Sequence, residues 1–240
     1  MGTWEKAHQP AERLSEIRRE IAETETACGR QQGSVRLIGV TKFIDTESIR
    51  PALEAGLKDV GENRAQELVE KSEFFDSFGV RKHFIGALQT NKVKYLVGKV
   101  ELIQSVDREA VLYEVNRLAE KVGIVQDILI EVNIGCEEQK AGISEIGLPA
   151  LLREAGELKG VRIRGLMCVP PALDEEEARP YFRRMKQLFE EMKGFECDNV
   201  RMEELSMGMS HDFHAAIEEG STMVRIGRAL FGERQHRQKV

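Results

Sequence analysis

Apolar residues along the chain follow two alternating patterns, short unbroken runs and longer stretches with a single apolar stripe. The run 35–42, Val-Arg-Leu-Ile-Gly-Val-Thr-Lys, is β-branched and apolar after Arg36. This pattern is typical of a strand that is buried on both faces. Similar runs predict seven further strands, at 59–61, 83–88, 102–106, 127–133, 161–169, 203–207 and 222–227.

The stretches between these runs carry apolar residues at helical spacing. In one of them Val111, Val115, Leu118 and Val122 recur at steps of four, three and four, which places them on one face of a helix. The predicted helices are 5–28, 46–55, 65–75, 89–96, 111–122, 148–158, 175–193 and 211–219.

Eight strands that alternate with helices, without a long linker, indicate a single α/β domain of the (β/α)8 TIM barrel type. We expect the barrel to occupy 35–240 and an extra N-terminal helix within 1–34 to pack on it. An open doubly wound sheet is the alternative. It is less favoured because no glycine-rich dinucleotide fingerprint follows the first strand.

Composition narrows the function further. The net charge is -6 and no dense basic run is present, so general nucleic-acid binding is not expected. The four cysteines lie far apart and form no spacing typical of a zinc site or a redox dithiol, so we expect no metal. The amino terminus is polar and has no apolar signal core, which predicts a cytoplasmic protein without a membrane association.

In a barrel of this kind the site lies at the carboxyl ends of the strands. Lys42 stands at the end of the first strand, where burial and neighbouring cations can lower the pKa of an amine enough for it to attack an aldehyde. The alternative is a charged residue that simply meets water after a strand. The other polar or conspicuous residues at strand ends are Asn63, His83, Asn133, Met167, Ser206, Arg225 and Gly227.

The turns after the last two strands suit a phosphate group. Residues 205–210, Leu-Ser-Met-Gly-Met-Ser, offer hydroxyls and backbone N–H groups, and 226–228, Ile-Gly-Arg, allow a second close backbone approach. Either segment could also be an ordinary strand-to-helix turn. A reactive lysine and a phosphate subsite at one barrel mouth together favour pyridoxal 5'-phosphate as the ligand.

Six ordered motifs resemble the pyridoxal phosphate homeostasis protein family, whose members are similar to the barrel domain of alanine racemase. The motifs are Val40-Thr-Lys42, Gly61-Glu-Asn-Arg64 with Gln66-Glu67, His83-Phe-Ile-Gly86 with Leu88-Gln-Thr-Asn-Lys92, Gly165-Leu-Met167 with Pro170, Leu205-Ser-Met-Gly-Met-Ser210, and Gly220-Ser-Thr-Met-Val-Arg-Ile-Gly227 with Phe231-Gly232. In two places the chain departs from the family pattern: Ala87 stands where His is frequent, and Arg228 where a small hydroxyl residue is common.

The resemblance implies a role for each cofactor-binding residue. Lys42 holds the cofactor as a Schiff base, and Asn63 lies beside the ring. Ser206, Gly227 and Arg228 bind the phosphate, Arg228 through its backbone.

Three further residues complete the predicted site. The resemblance implies that Arg225 faces the pyridine nitrogen; a guanidinium donor there keeps this nitrogen unprotonated and makes the cofactor a weaker electron sink. His83 and Met167 are also predicted cofactor contacts, although a buried structural role for His83 is equally compatible with its place in a strand.

The sequence leaves enzyme and carrier open. A racemase of the related architecture needs a second acid/base group, a tyrosine from an additional β domain, whereas Tyr95, Tyr113 and Tyr181 all fall on predicted helices. Our first hypothesis is therefore a protein that holds and releases pyridoxal phosphate without amino-acid turnover, with PLP-dependent apoenzymes as recipients.

Two alternatives remain. The first is a PLP-dependent, racemase-like enzyme that acts on amino acids, whose second group comes from a partner or from Cys168. The second is a barrel that binds a phosphorylated metabolite, with Lys42 as a plain cation. No catalytic residue is assigned.

Overall fold

A computed structural model describes residues 3–137, 139–195 and 197–232. Within these residues eight parallel strands form a closed barrel in chain order, which confirms the predicted (β/α)8 fold. The strands are β1 (Arg36–Val40), β2 (Asp59–Glu62), β3 (Arg81–Phe84), β4 (Leu102–Val106), β5 (Gln126–Val132), β6 (Val161–Cys168), β7 (Val200–Met209) and β8 (Met223–Ile226).

Helices surround the barrel and connect its strands. The α-helices of the described residues are α1 (Thr3–Ala27), α2 (Thr46–Glu54), α3 (Ala65–Glu70), α4 (Ser72–Ser77), α5 (Glu109–Val122), α6 (Leu148–Gly156), α7 (Glu175–Met192), α8 (Phe213–Glu218) and α9 (Arg228–Phe231). A 3-10 helix, Thr90–Tyr95, replaces an α-helix between β3 and β4. None of the described helices combines the length and the apolar character that crossing a bilayer requires.

The first helix precedes the barrel and lies across its closure. Leu14, Ile17 and Ile21 of α1 are buried, and the helix contacts α2, α8 and α9. Near its end the buried carboxylate of Glu25 accepts hydrogen bonds from the backbone N–H of Val35 at 2.7 Å and of Gly33 at 2.8 Å. This carboxylate therefore fixes the chain where it enters β1.

Apolar side chains fill both the barrel interior and the layer between strands and helices. The interior cluster comes from strands alone: Ile38, Leu102, Leu129, Met167 and Met223. Two larger clusters combine the outer faces of the strands with the apolar stripes of the helices. Because side chains alternate along a strand, each buried strand contributes to both layers.

Three elements differ from the sequence prediction. β3 ends at Phe84 rather than 88, and the predicted helix 65–75 is divided into α3 and α4 at Lys71. β7 is longer than predicted and runs to Met209. The division of the helix accompanies a hydrogen bond from the amine of Lys71 to the carbonyl oxygen of Thr41 at 2.8 Å, and the length of β7 makes Ser206 an interior strand position.

Candidate functional site

A cavity of about 640 Å³ opens at the carboxyl ends of the strands. Its volume falls in the range typical of small-molecule sites, about 300–1,000 Å³. Its lining comes from the ends of six strands, β1, β2, β3, β6, β7 and β8, and from the turns that follow them: Val40, Lys42, Ile44, Asn63, Ile85, Val169, Met209, Ser210, His211, Arg225, Gly227, Arg228 and Gly232.

Lys42 lies two residues beyond the end of β1, and its side chain is half-buried in the cavity wall. The preceding residue, Thr41, is fully buried and continues the pairing with β2 through a hydrogen bond from its N–H to the carbonyl of Gly61 at 3.0 Å. The backbone is therefore held in place up to Thr41, the residue that precedes Lys42.

Ser210, Gly227 and Arg228 lie together on one side of the cavity, where β7 and β8 end. The Ser210 hydroxyl accepts a hydrogen bond from the backbone N–H of Ala229 at 3.2 Å, which joins the end of β7 to α9. Gly227 allows the turn to pass close to β1, since a Cβ added there would lie 3.3 Å from the Cβ of Val40. A hydroxyl, a close backbone and a guanidinium suit an anionic group such as a phosphate.

Arg225 forms part of the cavity floor and is 4% exposed. Its Nη1 donates to the Ser206 hydroxyl at 2.6 Å, and its Nη2 donates to the carbonyl oxygen of Cys168 at 2.8 Å. Burial lowers the pKa of Arg225 from its ordinary value, while the nearby Glu131 and Asp212 act in the opposite direction. A guanidinium stays charged even so, which places a fixed donor beneath the cavity.

A chain of hydrogen bonds leads from Arg225 through the barrel interior. Ser206 donates to the Oε1 of Gln104 at 2.7 Å, and the Nε2 of Gln104 lies 3.3 Å from the Nδ1 of His83. The Nε2 of His83 lies 3.0 Å from the Oδ1 of Asp59. When the imidazole of His83 carries its proton on Nε2, each group in the chain donates to the next one in the direction away from Arg225. This single tautomer satisfies every hydrogen bond of the chain.

The far end of this chain is an ion pair at the amino-terminal ends of β2 and β3. The Nε and Nη2 of Arg81 each donate to Asp59 at 2.7 Å. Burial alone would raise the pKa of Asp59, but the hydrogen bonds from His83 and Arg81, together with the charge of Arg81, outweigh it and lower this pKa to about 2. The chain therefore connects a permanent anion to the buried cation Arg225.

Five of the predicted site residues line the cavity: Lys42, Asn63, Arg225, Gly227 and Arg228. His83, Met167 and Ser206 do not line it. His83 and Ser206 are fully buried members of the hydrogen-bond chain, and Met167 belongs to the interior apolar cluster. A contact of these three side chains with a cofactor stays a prediction. Their positions in the barrel interior favour a role in holding the residues that line the cavity.

The sequence analysis indicated the segment 205–210 but chose Ser206, and not Ser210, as its phosphate-binding hydroxyl, whereas Ser210 is the one that lines the cavity. Because β7 extends to Met209, Ser206 is an interior strand position and Ser210 is the hydroxyl at the strand end. Apolar Leu205 and Met207 alternate with polar Ser206, and this alternation was the sequence signal that Ser206 lies within a strand. His211, the first residue of the predicted helix 211–219, has a side chain that is 54% exposed, and it also lines the cavity. Ala87, where the family frequently has His, is exposed and is not among the lining residues.

The described residues do not offer a set of ligands for a metal ion. Nowhere in the described residues do three or more His, Cys, Asp or Glu side chains gather closely enough to hold a metal ion.

Comparisons with known proteins agree on one family. Residues 13–235 match the model of the alanine racemase N-terminal domain. A pyridoxal phosphate homeostasis protein of Aquifex aeolicus is 47% identical over 94% of this chain and 98% of its own, and one of Escherichia coli K12 is 36% identical over 95% and 98%. The solved structure of PipY from Synechococcus elongatus with PLP bound is 34% identical and superposes with a TM-score of 0.81 over 93% of this chain and 100% of that chain.

Proposed function

The chain belongs to the pyridoxal phosphate homeostasis protein family and has the fold of the alanine racemase N-terminal domain, and from this premise we propose that it binds pyridoxal 5'-phosphate and takes part in regulating its free level. The observation that carries the proposal is the position of Lys42 in one cavity with Ser210, Gly227 and Arg228. An amine and an anion-binding turn at one mouth match a phosphorylated aldehyde.

The residues present fit this cofactor. Lys42 is the amine that would hold the aldehyde carbon as a Schiff base, while the turns at Ser210 and at Gly227 with Arg228 would hold the phosphate. Asn63 adds an independent feature, because its Oδ1 is buried in the cavity wall and accepts no hydrogen bond from the described residues. A buried polar atom of this kind is unfavourable until a ligand or water donates to it.

Arg225 would face the pyridine nitrogen from below. Because a guanidinium only donates, it favours the unprotonated nitrogen and limits the capacity of the ring to accept electrons, which is the chemistry that the bound cofactor supplies. Arg225 cannot swing away at low cost, since Ser206 and the Cys168 carbonyl hold both of its Nη atoms. We infer that the site retains the cofactor and only weakly promotes carbanion chemistry.

We further propose that the protein does not turn over amino acids. None of its three tyrosines lines the cavity: Tyr95 lies in the 3-10 helix, Tyr113 hydrogen-bonds Glu154 at the surface, and Tyr181 packs on the core from α7. Cys168 is fully buried, and burial raises the pKa of its thiol to about 12. A thiol of that pKa is not a base near neutral pH.

A PLP-dependent, racemase-like enzyme is the second candidate, and His211 is the observation that favours it. Its imidazole is an acid/base group that lies half-exposed at the rim of the cavity. Racemisation of amino acids by the purified holoprotein, abolished in His211→Ala, would support this alternative.

The proposed biological role is that of a reservoir. A site that holds an aldehyde reversibly on Lys42 can release it to PLP-dependent apoenzymes, and we propose that this exchange takes place in the cytoplasm. Transfer of the cofactor from the loaded protein to a PLP-requiring apoenzyme, faster than release into buffer, would support direct delivery.

The decisive experiment compares wild type, Lys42→Ala and Lys99→Ala with added pyridoxal phosphate, before and after borohydride reduction. Lys99 is an exposed lysine just before β4, at the opposite end of the barrel, and serves as the control. We expect a visible absorption band and a reduced adduct on Lys42 in wild type and Lys99→Ala, and neither in Lys42→Ala. Identical, colourless spectra for all three would favour a phosphorylated metabolite as ligand instead.

A further inference from the structure

The turn that carries Lys42 has an unfavourable backbone conformation. The residue after it, Phe43, has φ of 61°, in the left-handed region that L-residues other than glycine and asparagine rarely occupy. Phe43 is 51% exposed, so burial of its side chain contributes little to holding this conformation. The backbone N–H of Ile44 donates to the carbonyl oxygen of Thr41 at 3.1 Å within the turn, and we expect contacts from outside the turn to offset the rest of the cost.

Three charged residues from β2, α3 and the break after α3 lie beside this turn, and we call Glu62, Glu67 and Lys71 the carboxylate clamp. The Nζ of Lys71 lies 2.7 Å from Glu62 and 3.2 Å from Glu67. Glu62 is 1% exposed and Lys71 8%. Lys71 reaches inward because it stands at the division between α3 and α4.

The clamp holds both neighbours of Lys42. The Thr41 hydroxyl donates to Glu62 at 2.7 Å, and the Nζ of Lys71 donates to the carbonyl oxygen of Thr41 at 2.8 Å. On the other side, the backbone N–H of Phe43 donates to Glu67 at 2.7 Å. All three hydrogen bonds involve a charged group, and such bonds are shorter and stronger than neutral ones.

Stability alone gives little reason for this cluster. Burying the charges of Glu62 and Lys71 is costly, and apolar residues of similar size often stabilise a protein equally well or better. Burial raises the pKa of Glu62, an effect that the charge of Lys71 only partly offsets. Its Oε2 is buried and accepts no hydrogen bond from the described residues. A costly cluster whose bonds converge on one turn indicates a role in fixing that turn.

We propose that Glu62, Glu67 and Lys71 are positioning residues that impose the left-handed conformation at Phe43 and thereby present the amine of Lys42 to the cavity. This inference rests on the proposed function, because it assigns a purpose to the turn through Lys42. The phosphate subsite is built by the turns after β7 and β8, and none of its described residues hydrogen-bonds Glu62, Glu67 or Lys71, so we expect it to be independent of the clamp.

The test separates bond formation at Lys42 from binding of the rest of the cofactor. Pyridoxal phosphate reports the first through borohydride trapping on Lys42. Pyridoxine 5'-phosphate reports the second by calorimetry, because it has an alcohol in place of the aldehyde and cannot form a Schiff base. For Glu67→Ala we expect the apparent affinity for trapping to fall about 10-fold or more, as the loss of a charge-assisted hydrogen bond implies. Binding of pyridoxine 5'-phosphate should change less than about twofold.

Two further variants sharpen the result. Glu70→Ala is the matched control, because Glu70 lies on the same helix, is exposed and bonds only Gln66 among the described residues. Phe43→Gly added to Glu67→Ala should restore part of the trapping, since glycine adopts positive φ without strain. Glu67→Gln keeps an acceptor for the Phe43 N–H and should show a smaller loss in the same direction, which also provides a readout if Glu67→Ala does not fold.

Each outcome has a distinct meaning. Trapping in Glu67→Ala and Glu67→Gln equal to wild type would overturn the clamp, as would an equal loss of trapping and of pyridoxine 5'-phosphate binding, which indicates general damage. Absence of trapping on Lys42 in wild type itself would instead overturn the proposed function on which the clamp depends.

Discussion

Glu131 carries a buried carboxyl group close to Arg225, and its replacement by glutamine should make the protein more stable at alkaline pH. The residue lies on β5 and is 8% exposed. Burial raises the pKa of Glu131 to about 7, and the charge of Asp107 acts in the same direction while Arg225 opposes it. Glutamine has nearly the same shape and never ionises.

The size of the effect follows from the pKa. The ordinary value is 4.5, so the pKa rises by about 2.5 units on folding, equivalent to about 3 kcal/mol at 1.36 kcal/mol per unit. Because the folded-state pKa is the higher one, this contribution is fully present below pH 4.5 and is lost as the pH rises through about 7. The stability advantage of Glu131→Gln over wild type should therefore grow by roughly 2–3 kcal/mol between pH 5 and pH 8.

Urea unfolding at several pH values between 5 and 8 measures this difference directly. At pH 8 the thermal midpoint of the variant should exceed that of wild type by roughly 5–10 °C. Glu157→Gln, at an exposed carboxylate after α6, is the control for the same substitution outside the core. The reasoning is refuted if Glu131→Gln is the less stable protein at pH 8, or if its advantage over wild type is the same at both ends of the range.

Three shorter predictions concern the interior chain and the cavity wall. Asp59→Asn should cost about 2 kcal/mol at pH 7, because the low pKa of Asp59 (about 2, against 3.8) stabilises the fold above pH 3.8; this loss relative to wild type should vanish as pH falls through 2 in acid unfolding. Ser210→Ala should weaken binding of pyridoxal phosphate about 10-fold while leaving the affinity for unphosphorylated pyridoxal unchanged in spectrophotometric titration. Gly86→Ala should lower stability by about 3 kcal/mol or more in calorimetry, because the added Cβ would overlap the backbone oxygen of Asn63.

Much of the fold could be predicted from the sequence because each strand is a short apolar run between polar turns. The run at 83–88 shows the limit of that signal. Ile85 lines the cavity and Leu88 is buried, so both are apolar for tertiary reasons, although the strand itself ends at Phe84. Burial of a side chain does not distinguish a strand from a loop that packs against one.

The division of the predicted helix 65–75 illustrates a different limit. No proline or glycine interrupts that segment, and its apolar spacing is compatible with one continuous helix. The interruption at Lys71 accompanies contacts of its amine with Glu62 and the Thr41 carbonyl, which are 9 and 30 residues away. Tertiary contacts of this kind override local propensity and leave no local signal.

The rule that the site lies at the carboxyl ends of the strands predicted the residues that line the cavity better than the residues beneath them. It brought Lys42, Asn63 and Arg225 to one place because all parallel strands end at the same rim. It failed to separate Ser206 from Ser210, because the outcome depends on how far β7 continues. The Ser206 to Gln104 bond joins residues 102 positions apart, and a single sequence contains no information on such pairs.

The closure of the barrel between β1 and β8 has a consequence for the newly made chain. Arg36 through Gly39 pair with Met223 through Ile226, so the seam joins the first strand of the barrel to the eighth. Lys42 lies on one side of this seam and Gly227 and Arg228 on the other. No cavity can therefore exist until the chain has been synthesised through β8, and contacts of such sequence separation form late. A ligand that bridges the two sides would favour the closed barrel by mass action, so cofactor supply during synthesis should raise the yield of folded protein.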